Sequence, residues 1–155
     1  MVNHFNSNRF LFWQKWLVYS SLLFAFSAIV FALSGKNLFF LPYDKMIANA
    51  LWHRSDFSVE ADTFRAFIYI PFGGTIACCY TLLAFIAWYP FKEKKVWARN
   101  AIIIAFGLWV IIDSLGCLYF KIYPQIYIIN AFSILVKILP ILFTWNDFSH
   151  SKAFQ

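Results

Sequence analysis

Residues Gly107 to Lys137 read GLWVIIDSLGCLYFKIYPQIYIINAFSILVK: two apolar and aromatic runs joined by the short turn Lys121-Ile122-Tyr123-Pro124, with Asp113 in the first run and Lys137 in the second. A helix rises about 1.5 Å per residue, so about 20 predominantly apolar residues cross a hydrocarbon layer about 30 Å thick. Each run, extended to its apolar limits, has that length. A connection this short forces two helices to lie side by side and antiparallel. The stretch therefore predicts a membrane-embedded helical hairpin whose span interiors hold two formal charges.

Outward from this hairpin the chain repeats the pattern. Apolar stretches run from Trp16 to Ser34, from Ala66 to Tyr89, from Val96 to Phe120 and from Gln125 to Trp145. With 155 residues, 62% of them hydrophobic, 23% aromatic and only 13% charged, the chain has more apolar surface than a small soluble domain can bury. The prediction is an all-α, integral membrane four-helix bundle, with residues 1–155 forming a single transmembrane domain. Arg9 and Lys15 precede the first run as in a signal peptide, but its apolar core is long and no A-x-A site ends it, so it is read as a retained helix.

The net charge is +6, but the Lys and Arg residues are scattered between apolar runs rather than gathered into a stripe, which argues against nucleic acid as a partner. Their distribution predicts orientation. With both termini inside, Arg9, Lys15, Lys92, Lys94, Lys95, Arg99 and Lys152 face the cytoplasm, against Lys36, Lys45, Arg54, Arg65 and Lys121 outside. Richness in Phe, Ile, Lys and Asn suits a bacterial inner membrane. Between the first two spans, Tyr43 to His53 puts Met46, Ile47, Ala50 and Leu51 on one side, with Asp44, Lys45 and Asn49 elsewhere. That pattern fits either a short helix lying on the membrane or an ordered loop capping the bundle.

Small residues four apart, Gly73, Ala77 and Thr81 beside Gly74 and Cys78, predict a close helix approach along the second span, with Gly74 intolerant of Leu. Ser20, Ser27 and Ser34 offer a matching seam on the first. Cys78, Cys79 and Cys117 lack C-x-x-C spacing and are read as small packing residues. Pro71 and Pro140 predict kinks whose freed carbonyls need other donors. The Trp and Tyr residues near span ends, Trp16 and Trp145 among them, are read as interface anchors.

On the fourth span Asn130, Ser133, Lys137 and Thr144 share a narrow sector edged by Pro140, a polar face that should meet protein or a wet cavity. A lysine at this depth costs about 2.5 to 3.5 kcal/mol on insertion scales and needs compensation. Helical side chains lean toward their own N-terminus, so Asp113 and Lys137 on antiparallel helices lean toward each other across an axial gap of about 8 Å. An ion pair, direct or water-bridged, is predicted. Two readings follow: a structural pair, or an outward-opening polar site that binds a small or lipid-like ligand through Asp113, Lys137, Asn130, Ser133, Arg65 and Tyr69.

No nucleophile–base pair, phosphate loop or metal-ligand spacing appears, and His4, His53 and His150 are far apart, so neither a catalytic residue, a metal nor a cofactor is predicted. The expected function is that of a non-enzymatic ligand-binding or accessory membrane protein. The alternatives are a small transporter subunit with Asp113 as its protonatable site and a membrane-embedded enzyme. The expected partners are the lipid bilayer, a small or lipid-like ligand, and either a second copy of the chain or a larger membrane complex.

Overall fold

In the first helix, α1 (Asn3–Leu33), the buried positions Phe10, Gln14, Leu17, Ser21, Ala25 and Ala28 recur three or four apart, one stripe along one face. That stripe lies against α3 (Val59–Trp88), and small side chains let the two backbones come close. A Cβ added at Gly73 would sit 2.7 Å from the Ala28 carbonyl oxygen and 2.7 Å from the Ala32 Cβ. In lipid, where no hydrophobic drive brings helices together, such backbone approach is a main source of attraction. The structure, a computed structural model, describes residues 3–33 and 41–148, with side chains from residue 8 onward. Ser34, Lys36, His150 and Lys152 lie outside the described residues.

The pairing of the first two spans follows the expectation, but the faces differ. A Cβ added at Gly74 would meet open space and Cys78, Cys79 and Thr81 are exposed, so the predicted intolerance at Gly74 passes to Gly73. On α1 the seam is Ser21, Ala25, Ala28 and Ala32, while Ser27 is exposed. Packing is thus not the role of Cys78 and Cys79, although Cys117 is buried.

Both helices are also longer than their apolar runs. Gln14 stays in the buried stripe because its amide donates to the Ala87 carbonyl at 2.9 Å, one of the last-turn carbonyls that a helix end leaves without a partner. At the start of α3 the Ser58 hydroxyl accepts from the Ala61 amide at 3.3 Å, an N-cap that begins the helix ahead of its apolar core. A tight turn with Lys94 at φ 58° leads into α4 (Val96–Tyr119).

After α4 the chain forms one π-helical segment, Gln125–Asn130, before α5 (Ala131–Thr144) and a closing 3₁₀ turn, Trp145–Phe148. Ser133, Lys137, Ile141 and Thr144 recur at helical spacing on the buried face of α5, which packs on α1. Pro140 cannot donate to the carbonyl of Val136, and the Trp16 indole N–H takes that acceptor at 3.2 Å. Trp16 is therefore a helix-to-helix tie as well as an interface residue. At this end of the bundle Phe91 packs edge-on to Phe148 with ring centroids 4.8 Å apart and stacks on Phe10 at 6.0 Å. We call this the lysine-turn end, after Lys92 to Lys95.

Four segments are long and apolar enough to cross a membrane: Asn8–Leu33, Val59–Trp88, Val96–Tyr119 and Gln125–Phe148. With helices only among the described residues, the protein is an all-α, integral membrane four-helix bundle. The remaining helix, α2 (Leu41–Trp52), lies at the opposite end, where Asp44 and Ala48 are buried. It is a cap whose inward face carries an acid.

Candidate functional site

Asp113 stands half-buried near the end of α4, and its neighbours come from the π-helical segment. The Asn130 amide donates to Asp113 Oδ2 at 2.7 Å and to Ser114 Oγ at 3.2 Å, and the Cys117 thiol reaches the same carboxylate oxygen at 3.6 Å. Bonding from i to i+5 stacks residues five apart, where an α-helix would set them about 140° apart. Gln125 and Asn130 therefore share a side at this end. Asn130 is 1% exposed, and its Oδ1 is buried with no hydrogen-bond donor; Gln125 Oε1 is in the same condition.

Above this group α2 is clamped to α3. Arg65 donates from one guanidinium nitrogen to Asp44 and from the other to Asp62 Oδ1 at 2.7 Å, while the Tyr69 hydroxyl donates to Asp44 Oδ1 at 2.8 Å. The guanidinium lies between the rings of Phe57 and Tyr69, 5.5 and 5.2 Å from their centroids. One residue before Asp44, Tyr43 is close enough to Asp113 to feel its charge. Burial pushes its phenol up to about 12, with the negative charge of Asp113 as the next cause and Cys117 and Asp44 adding to it. The hydroxyl thus stays protonated at neutral pH.

Lys137 belongs elsewhere. Its ammonium donates to Ser20 Oγ at 2.9 Å and Ser21 Oγ at 3.0 Å, and it lies 4.9 and 5.1 Å from the ring centroids of Phe24 and Tyr80. Both serine hydroxyls donate back to the Leu17 carbonyl, at 3.3 and 2.6 Å, which leaves their lone pairs for the lysine. Ser133 lies beside the Tyr80 hydroxyl. The predicted Asp113–Lys137 pair does not form, and none of the ion pairs among the described residues includes Lys137. The reason is directional. The stripe carrying Lys137 faces α1, and α4 meets the last span chiefly at the π-helical segment, two turns away.

A buried ammonium held only by hydroxyls and ring faces is poorly compensated for its lost hydration. Lys137→Met, of similar length, is therefore expected to leave stability unchanged or raise it by about 1 kcal/mol, because Ser20 and Ser21 keep their bonds to Leu17. Thermal unfolding in detergent measures this. A loss of more than about 1 kcal/mol would mean that the lysine stabilises the bundle.

Of the six predicted site residues, the structure joins Asp113 to Asn130 and Arg65 to Tyr69 at the α2 end, and sets Lys137 and Ser133 apart on the α1 side. Tyr43, Asp44, Ser114 and Cys117 complete the α2-end group and were not among the predicted residues. Asp44 reads in the sequence as the polar side of a surface helix. No trio of His, Cys, Asp or Glu converges as a metal site among the described residues. No protein-family model matches the chain, and no curated protein or solved structure matches it either.

Proposed function

We propose that the protein is a non-enzymatic membrane protein that binds a small lipid-soluble amine, as its ammonium ion, in the acidic group beneath α2. The observation that carries this reading is the surplus of acceptors. Asn130 Oδ1 is buried without a donor, and Asp113 Oδ1 accepts no hydrogen bond from the described residues. The Asp113 carboxylate accepts from Asn130 and Cys117 only and stands in no ion pair among the described residues, while Arg65 is taken up by Asp44 and Asp62. An ammonium supplies both the missing positive charge and several N–H donors, and an apolar tail extends into the surrounding helices. The Lys and Arg distribution supports an orientation in which this end opens to the outer side of a bacterial inner membrane and both termini are cytoplasmic.

Titration of the purified protein in neutral detergent with 2-phenylethylamine, followed by thermal shift, tests the reading. The amine is expected to stabilise the protein, its uncharged analogue 2-phenylethanol is not, and Asp113→Asn should weaken amine binding at least tenfold, about 1.4 kcal/mol. Equal response to amine and alcohol, or an Asp113→Asn variant that binds like the wild type, would remove the proposal.

A further inference from the structure

Beside the tight α1–α3 seam the same two helices leave an open furrow at the lysine-turn end, about 320 Å³ in volume. Its floor is Val18 and Ala84, its walls Leu22 and Phe85, and Trp88 and Tyr89 stand at its mouth. The furrow exists because Ala84 is small and buried against α1 while Leu22 and Phe85 stand outward on either side. Leu22 and Thr81 mark the deep end, and the seven-residue step from Thr81 to Trp88 carries the furrow about 10 Å toward the mouth.

Charge is arranged at one end of it only. Lys15 lies one helical turn before Val18 and Tyr19 on the same face of α1, and Lys92 follows α3 with its ammonium 5.6 Å from the centroid of the Trp88 ring. Both lysines are exposed and neither is in an ion pair among the described residues, whereas nearby Arg9 and Lys94 share Asp147 at 3.9 and 3.7 Å. An apolar furrow that runs from the membrane interior to a Trp–Tyr mouth and two free ammonium groups matches an amphiphile with a negative head.

We infer that this furrow is a binding site for an anionic phospholipid, with an acyl chain along Val18, Leu22, Ala84 and Phe85 and the phosphate between Lys15 and Lys92. The site is independent of the acidic group beneath α2, which lies at the other end of the bundle. Lysine stems cover the mouth while their ammonium groups meet the head, and the aromatic pair holds the glycerol level.

Native mass spectrometry of the full chain in dodecyl maltoside, with phosphatidylglycerol, phosphatidylcholine or glycerol 3-phosphate added, tests the site. Phosphatidylglycerol is expected to be retained roughly tenfold more tightly than phosphatidylcholine, given two lysines near the head, and glycerol 3-phosphate not at all. Lys15→Gln with Lys92→Gln should level the two lipids. Leu22→Trp, at a position already 46% exposed, should fill the furrow and lower retention of both. Equal retention of the two lipids by the wild type would overturn the inference, as would a preference that survives the double lysine change. Tight binding of glycerol 3-phosphate would overturn it as well, by showing a free-phosphate site rather than a lipid site.

Discussion

Gly73→Leu is expected to cost the bundle about 3 kcal/mol or more, and Gly74→Leu next to it almost nothing. Even the first carbon of a side chain at Gly73 would press on the Ala28 carbonyl and the Ala32 methyl at 2.7 Å, and a backbone oxygen has no rotamer with which to move away. Overpacking a well-filled interior commonly costs about 1 to 3 kcal/mol, and a backbone neighbour puts this case at the upper end. The helices must separate, and with them the contacts of Phe24 with Tyr80 and Phe31 with Tyr69, whose rings lie 5.0 and 4.1 Å apart. Thermal unfolding in detergent should show a drop of roughly 10 °C for Gly73→Leu. Equal melting of the two variants would mean that the close approach is not at this face.

The second large effect is expected at Asp44. Its side chain is 9% exposed and that of Arg65 8%, and removing one partner of a buried pair typically costs about 3 to 5 kcal/mol because the other charge is left without compensation. Asp62 retains part of the guanidinium's bonding, so Asp44→Ala should fall near about 3 kcal/mol. The loss is local. Tyr69 loses its acceptor and α2 loses its anchor, so amide exchange across Leu41–Trp52 should accelerate by roughly a hundredfold while that of α1 and α3 holds. Unchanged exchange in α2 would show that the cap is held by its apolar residues instead.

The spans, the antiparallel hairpin and the inward polar stripe of α5 were legible in the sequence because each rests on length or on a 3.6-residue period. The choice between adjacent faces was not. Small residues occupy both the Ser20–Ser27 side of α1 and the Ser21–Ala25–Ala28 side, and both Gly73 and Gly74 on α3, so small size alone could not select the seam. The Asp113–Lys137 expectation failed for a related reason. It treated Gln125 to Lys137 as one regular α-helix beside α4, whereas six of those residues form the π-helical segment and the rest turn their polar side to α1. Asn130, expected in the same polar site, lies in the first turns after the hairpin bend, and it is the residue that meets Asp113. Asp44 was hidden because its partner lies 21 residues away across a turn, a distance at which periodicity carries no information.

Asp113 and Lys137, the two charges inside the spans of the hairpin, serve separate sites. A double-mutant cycle for stability between Asp113→Asn and Lys137→Met tests this separation most directly. With no shared partner, the two changes should add, leaving a coupling energy within about 0.5 kcal/mol of zero. Recovery in the double variant of most of the stability lost in Asp113→Asn, beyond what Lys137→Met contributes alone, would show that the two residues are a pair after all and would contradict the division of the bundle into two polar sites.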